Sequence, residues 1–187
     1  VARLNNLLQS PFTLHSKLVK WIDREARNAR AGREARILIK VNALTEPQAI
    51  QALYRASHAG VKIELVVRGM CCLRPGIPGI SDNIQVCSIV GRFLEHTRVY
   101  LFHNDGDEQL YCASADLMER NMFNRVEVAF PVLDPAFRER ITRELRLYLA
   151  DNTQAWTLGA DGNYTRAHAG ESAVTAQQDL LESLAES

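Results

Sequence analysis

A histidine and an arginine two residues apart, His96 and Arg98, head the strand-like run Val99-Tyr-Leu-Phe102, and their types suit chemistry on a phosphate. Side chains at i and i+2 of a strand project from one face, so the spacing sets an imidazole beside a guanidinium. The guanidinium can donate two parallel hydrogen bonds to phosphate oxygens. The imidazole can act as nucleophile, proton donor or stabiliser of a phosphoryl group. Arg68, at the end of an earlier strand pattern, and then Ser114, Asp116, Arg120, Asn121 and Arg125 are expected to point at the same region. His96 alone would read equally well as a structural histidine; the surrounding arginines turn the reading toward a site. His15, His58, His103 and His168 lack partners at ligand spacing, and no carboxylate and histidine motif of the metalloenzyme kind occurs, so no protein-held metal is expected. Neither GxxxxGK[ST] nor GxGxxG is present, so a bound nucleotide would be held by arginines and backbone.

The elements that must position these residues follow from periodicity. Leu14, Leu18, Ile22 and Ala26 recur at helical spacing after Pro11 and Thr13, and Gly32 supplies a stop. Lys17, Lys20, Arg24 and Arg27 make a basic stripe on another face of that helix, read mainly as a solvated surface. Residues 35–42 form a nearly continuous apolar strand, as expected where both faces are covered. Thr45, with Gln48 three residues on, predicts a capped helix to His58, and residues 61–67 a second buried strand. Strand, helix and strand in about thirty residues make a parallel crossover, which brings Arg68 to the carboxyl edge where open α/β sheets bind ligands. Residues 69–82 are too rich in Gly and Pro for regular structure. Strands are expected at 83–89, 97–103, 109–115 and 125–132, the middle two joined by Asn104-Asp105-Gly106, with a loop and one helical turn over 116–124. Asp134-Pro135 starts a helix to about Leu149 with Phe137, Ile141, Leu145 and Tyr148 inward. Beyond, Trp156 and Tyr164 flank a hairpin around Asp161-Gly162, and the end from Glu171 reads as helix.

The hairpin sets a register. A three-residue loop with Gly106 left-handed would pair His103 with Asp107 and place His96, Arg98 and Ser114 on one face, whereas a two-residue loop would send Ser114 to the other. A site that needs hydroxyl and imidazole together predicts the odd loop.

With 22 basic and 22 acidic residues the formal charge is zero, which argues against a general nucleic-acid binder. The 47% apolar and 24% charged fractions are those of a soluble globular domain. No run approaches a membrane span or a signal peptide. Four cysteines, Cys71, Cys72, Cys87 and Cys112, fit no CxxC or disulfide framework, so a reducing, cytoplasmic setting is expected. The first residue is Val, which suggests a piece of a longer protein. A soft boundary near 152 divides a domain over 1–152 from an extension over 153–187, packed on it or partly flexible.

Ile39-Lys-Val-Asn-Ala-Leu44, Gln51-Ala-Leu-Tyr-Arg-Ala-Ser-His-Ala-Gly-Val61, Val67-Arg-Gly-Met-Cys-Cys-Leu-Arg-Pro75, Ser88-Ile-Val-Gly-Arg-Phe-Leu-Glu-His96 and Ser114-Ala-Asp-Leu-Met-Glu-Arg-Asn121, followed by Arg125-Val-Glu127, together resemble the C-terminal catalytic domain of bacterial polyphosphate kinases. The resemblance is collinear from about Leu8 to about Leu158 and leaves the last thirty residues or so unmatched. It implies a phospholipase D-like half, an α/β fold whose mixed sheet is flanked by helices on both faces. It implies reversible transfer of the terminal phosphate of ATP to inorganic polyphosphate through a phosphohistidine held by a preceding domain, so that this piece alone is inactive. His96 would be the second, catalytic histidine, and Arg68, His96, Arg98, Ser114, Arg120, Asn121 and Arg125 the ATP and phosphate ligands. Mg²⁺ accompanying ATP, the partners ATP, ADP, polyphosphate and the preceding domains, a homo-oligomer, and a cytoplasmic or peripheral inner-membrane location are implied in the same way. The family commonly has Trp where Leu117 stands, a departure that touches packing. Two other readings remain beside it: a phospholipase D-type phosphodiesterase, of which His96-Thr-Arg98 is a faint echo, and a non-catalytic module that binds polyphosphate or another subunit.

Overall fold

The computed structural model describes residues 6–170 and 172–185. At its centre β2 (Arg36–Val41) and β3 (Lys62–Val67) run parallel, and every residue of each beyond the first is buried. Helix α2 (Pro47–His58) connects them, and its cap is Glu46 rather than the expected Thr45. The Glu46 carboxylate accepts from the backbone N–H of Gln48 at 3.0 Å and of Ala49 at 2.7 Å, with Pro47 filling the first turn. Two otherwise free N–H groups are satisfied there, and the negative charge suits the helix N-terminus. Helix α1 (Leu14–Arg30) buries Leu14, Leu18, Ile22 and Ala26, as its period requires, together with Trp21.

Around that pair the described residues build one sheet. Strand β4 (Ile84–Ile89) is parallel to β3, and β5 (Arg98–Phe102) is antiparallel to β2. The sheet continues through β6 (Gln109–Ala113) and β7 (Glu127–Pro131) to a short β1 (Leu8–Ser10), and past β4 through β8 (Ala155–Leu158) to β9 (Tyr164–Arg166). The order is β1-β7-β6-β5-β2-β3-β4-β8-β9. The strands β8 and β9, beyond residue 152, therefore extend the same sheet. Alternation along β2 sends Ile37, Ile39 and Val41 toward α1 and α2 and Leu38 toward α3 (Pro135–Ala150), while α4 (Ala176–Ala185) packs beside α3 over Val66 and Ile89. The fold is thus α/β, a mixed sheet with helices on both faces.

Strand β7 is not wholly core: Glu127 and Ala129 are buried but Val128 and Phe130 are exposed, and Phe137, expected to face inward, is 59% exposed. A single helix about 10 Å wide cannot cover every strand of so broad a sheet. From Ile141 onward α3 lies over β2, β5 and β6, which leaves β7 and the first turn of α3 bare.

The hairpin overturns the expected register. Arg98 stands opposite Ala113, Tyr100 opposite Tyr111 and Phe102 opposite Gln109, which leaves four residues, 104–107, for the turn. Asn104, Asp105 and Gly106 all take positive φ (49°, 56° and 93°), a conformation that Asn and Asp tolerate as well as Gly. The Asn104 amide closes the turn on the carbonyl of Asp107 at 3.0 Å. Ala113, the last residue of β6, thus takes the place opposite Arg98, and Ser114 falls in a bend beyond the strand, so the ladder does not set it beside Arg98.

Candidate active site

The carboxyl ends of β2 and β3 and the start of β5 come together, and a run of hydrogen bonds joins them. Arg68, just past β3, donates from Nε to Oδ1 of Asn42, just past β2, at 2.9 Å. The Asn42 amide and backbone N–H both donate to Oδ1 of Asp116, at 3.2 and 2.7 Å. Asp116 is gripped in turn by Arg98, from Nε to Oδ1 at 3.2 Å and from Nη2 to Oδ2 at 3.1 Å. Arg98 Nη1 then reaches the carbonyl of His96 at 2.9 Å and its ring Nδ1 at 3.1 Å. His96 lies in an irregular stretch before β5, so the pair does not meet by strand alternation as expected; the Arg98 side chain folds back to it.

Asn42 and Asp116 are buried, whereas His96 is exposed and Arg68 half-buried. Burial alone would raise the Asp116 carboxyl, but hydrogen bonds from Arg98 and from the Asn42 backbone, with the Arg98 charge, outweigh it and hold the group below the ordinary aspartate value. A guanidinium can only donate, so His96 Nδ1 is the accepting nitrogen, and in the neutral ring the proton sits on Nε2. The three nitrogens of Arg98 are engaged, while the terminal nitrogens of Arg68 have no partner among the described residues. The arrangement offers an anion one free arginine fork and one imidazole N–H. Burial, and secondarily the Asp116 charge, push the Tyr100 hydroxyl up, so it stays a donor, to the carbonyl of Ala115 at 2.8 Å. Burial likewise pushes Cys71 up to about 11 and Cys87 up to about 12, which leaves neither as a thiolate at neutral pH.

The other expected site residues fall elsewhere. Ser114 and Asn121 converge on the buried carboxylate of Glu127, the serine from its hydroxyl and the asparagine from its amide at 2.6 Å. Asn121 sits in a π turn over Arg120–Asn124 and leaves its carbonyl oxygen buried without a partner among the described residues. Arg120 and Arg125 are exposed, and no hydrogen bond or ion pair ties either to His96. Among the described residues no group of three or more His, Cys, Asp or Glu side chains is placed to hold a metal ion. Sequence reasoning passed over Asn42 as a site residue, although its place at the end of the strand beside Arg68 is the signal that finds it. All four cysteines are free, and no described helix is long and apolar enough to cross a membrane.

The family model for polyphosphate kinase C-terminal domain 2 matches residues 7–178. The polyphosphate kinase of Pseudomonas aeruginosa is 56% identical over 185 residues, which are 98% of this chain and 27% of that protein. The chain thus spans about a quarter of the length of such relatives. The crystal structure of polyphosphate kinase from Porphyromonas gingivalis superposes with a TM-score of 0.95 at 40% identity, covering 100% of this chain and 29% of that one. The phospholipase D family member Nuc from Salmonella typhimurium shares the fold, with a TM-score of 0.58 at 15% identity over 86% of this chain and 97% of its own.

Proposed function

The chain belongs to the polyphosphate kinase family as its C-terminal domain 2, and we propose that within the whole enzyme it supplies the second histidine and the arginines of a site that moves the terminal phosphoryl group of ATP onto inorganic polyphosphate, reversibly. The observation that carries this reading is the unbroken hydrogen-bonded run from Arg68 through Asn42, Asp116 and Arg98 to His96.

In this reading a histidine in a preceding domain attacks the γ-phosphorus, the bond to the β-phosphate oxygen breaks and ADP leaves. A terminal oxygen of polyphosphate then attacks the same phosphorus and frees the histidine. Charge spreads over the phosphoryl oxygens during each displacement, so catalysis is mainly placement and neutralisation. Arg68, through its free terminal nitrogens, holds those oxygens. His96 donates its Nε2 proton toward the oxygen that leaves or arrives. Arg98, held by Asp116, fixes the imidazole's tautomer and direction, which makes it an orienting group more than a phosphate ligand. Mg²⁺ enters with ATP as part of the substrate, since Asp116 and Glu127 are already taken by protein donors. Arg120 and Arg125, exposed and without an ion-pair partner among the described residues, guide the polyanion toward the site. Assembly with copies of the same enzyme and a cytoplasmic location belong to the same reading.

The test is made in the full-length enzyme with His96→Ala and Arg68→Ala. Each should lower turnover about 10²- to 10³-fold while the thermal transition stays nearly unchanged. Near-normal turnover in either variant, or hydrolysis of a phosphodiester in place of phosphoryl transfer, would defeat the assignment.

A further inference from the structure

The stretch that carries His96 has little structure of its own. Among the described residues no backbone-to-backbone hydrogen bond ties 91–96 to the fold, and Phe93 and Leu94 are exposed. Two buried side chains from distant parts of the chain, Gln177 and Lys40, hold it instead, in part through the stretch's own buried Glu95. Gln177, in the first turn of α4, accepts from the Phe93 N–H at 3.0 Å and donates to the Phe93 carbonyl at 2.8 Å, pairing with that residue as a neighbouring strand would. The same amide nitrogen donates to Oε1 of Glu95 at 2.7 Å. Oε2 of Glu95 meets Lys40 of β2 at 3.2 Å, and Lys40 also donates to the Thr97 hydroxyl at 2.7 Å. Both neighbours of His96 in the chain are thus pinned from below, and the imidazole is left exposed between them.

Two further features belong to this clamp. A Cβ at Gly91 would collide with the side-chain oxygens of Gln177 and Gln154, so the loop lacks one where the glutamine amide must enter. The segment before α4 is stitched to the end of α3: Asp151 Oδ2 accepts from the Ala176 N–H at 2.8 Å, and Asn152 exchanges hydrogen bonds with Val174. The position of Gln177 is therefore set by the sheet and α3 rather than by α4 alone.

We propose that Gln177, acting with Glu95 and Lys40, is a positioning residue for His96, so that the C-terminal helix fixes where the imidazole stands relative to Arg68. The proposal rests on the reading that His96 acts in phosphoryl transfer. Lys40, Glu95 and Gln177 touch no substrate in it; they act through the loop. A displacement of the imidazole by about 1 Å is enough to cost about 100-fold in rate.

The test uses the full-length enzyme with Gln177→Met, which keeps length and packing but loses the three hydrogen bonds, and Gln177→Glu, which sets a carboxylate against Glu95 and the Phe93 carbonyl. Both should lower kcat about 10- to 100-fold with the KM for ATP within about twofold, because Arg68 still holds the phosphates, and both should speed amide exchange across 91–97. In a His96→Ala background Gln177→Met should have no further effect on kcat, since a residue that acts through another adds nothing once that other is gone. If either substitution unfolds the enzyme, Gly91→Ala, which displaces the same amide from the loop side, replaces it with the same expectations. Normal kcat in these variants, unchanged exchange in the loop, or a full additive loss in the His96→Ala background would overturn the proposal. Near-normal turnover of His96→Ala itself would instead overturn the reading of the site, so the two failures are told apart.

Discussion

Replacing Asp116 by Asn tests the electrostatics of the site with the smallest change in shape. The carboxylate accepts four hydrogen bonds, two from the Arg98 guanidinium at 3.1 and 3.2 Å and two from Asn42 at 2.7 and 3.2 Å. With side-chain exposures of 14% for Arg98 and 8% for Asp116, the pair is close to buried. An amide keeps one acceptor and turns a second group, now a donor, against another donor, while Arg98 loses its counter-charge. Losing one charge-assisted bond costs about 1.5–3 kcal/mol, and leaving a buried charge unpaired about 3–5 kcal/mol. Because Arg98 can swing partly toward solvent, about 3 kcal/mol is expected here. Urea denaturation of this chain at several pH values is the assay. The folded-state pKa of Asp116 is lowered, so its stabilisation is fully present above the unfolded value of about 3.9 and is lost as pH falls through the folded value. The difference between wild type and Asp116→Asn should hold its full size at neutral pH and shrink once pH drops below about 4. A difference under about 1 kcal/mol at neutral pH, or one that stays constant on acidification, would refute the account of this pair.

Other outcomes follow from the same geometry. Glu46→Ala removes a buried carboxylate that caps α2 and meets His15 at 2.9 Å, and denaturant unfolding should show a loss of about 2 kcal/mol. This chain alone, given ATP, Mg²⁺ and a polyphosphate primer, should make no longer polymer on a gel, because the proposed mechanism assigns the nucleophile to a preceding domain. Polyphosphate binding measured by titration should weaken as salt rises. Arg120→Ala or Arg125→Ala should weaken it more than Lys17→Ala or Arg24→Ala, since Arg24 is already bonded to Gln109 at 3.0 Å.

Where the sequence carried a strong period, it was legible. The α1 face, the buried strands β2 and β3 and the arrival of Arg68 at a carboxyl edge all follow from spacings that local physics enforces. The cap of α2 was misplaced by one residue, because a glutamate with two accessible acceptor oxygens and a proline behind it can do what Thr45 and Gln48 suggested. The hairpin register was misjudged because Asn104 and Asp105 share the left-handed conformation that the reading reserved for Gly106. Of the expected site residues, Arg68, His96 and Arg98 come together, but through Asn42 and Asp116 and not through strand alternation. Ser114 and Asn121 instead serve Glu127. The Gln177 contact with Phe93 joins residues 84 apart in sequence. No local pattern announces a glutamine amide that pairs with a loop backbone, so that part of the site needed the fold.

The central claim is a division of labour, in which this domain presents His96 and Arg68 to a phosphoryl group that rides on a histidine elsewhere in the enzyme. It is tested most directly by brief exposure of the full-length enzyme to ATP labelled in the γ-phosphate, a quench in base that preserves phosphohistidine, and mapping of the label. The account predicts label on a histidine outside the residues of this chain, none on His96, and in His96→Ala a labelled enzyme that forms or turns over about 10²- to 10³-fold more slowly. Label on His96 itself, or labelling and turnover at the normal rate without it, would contradict the account.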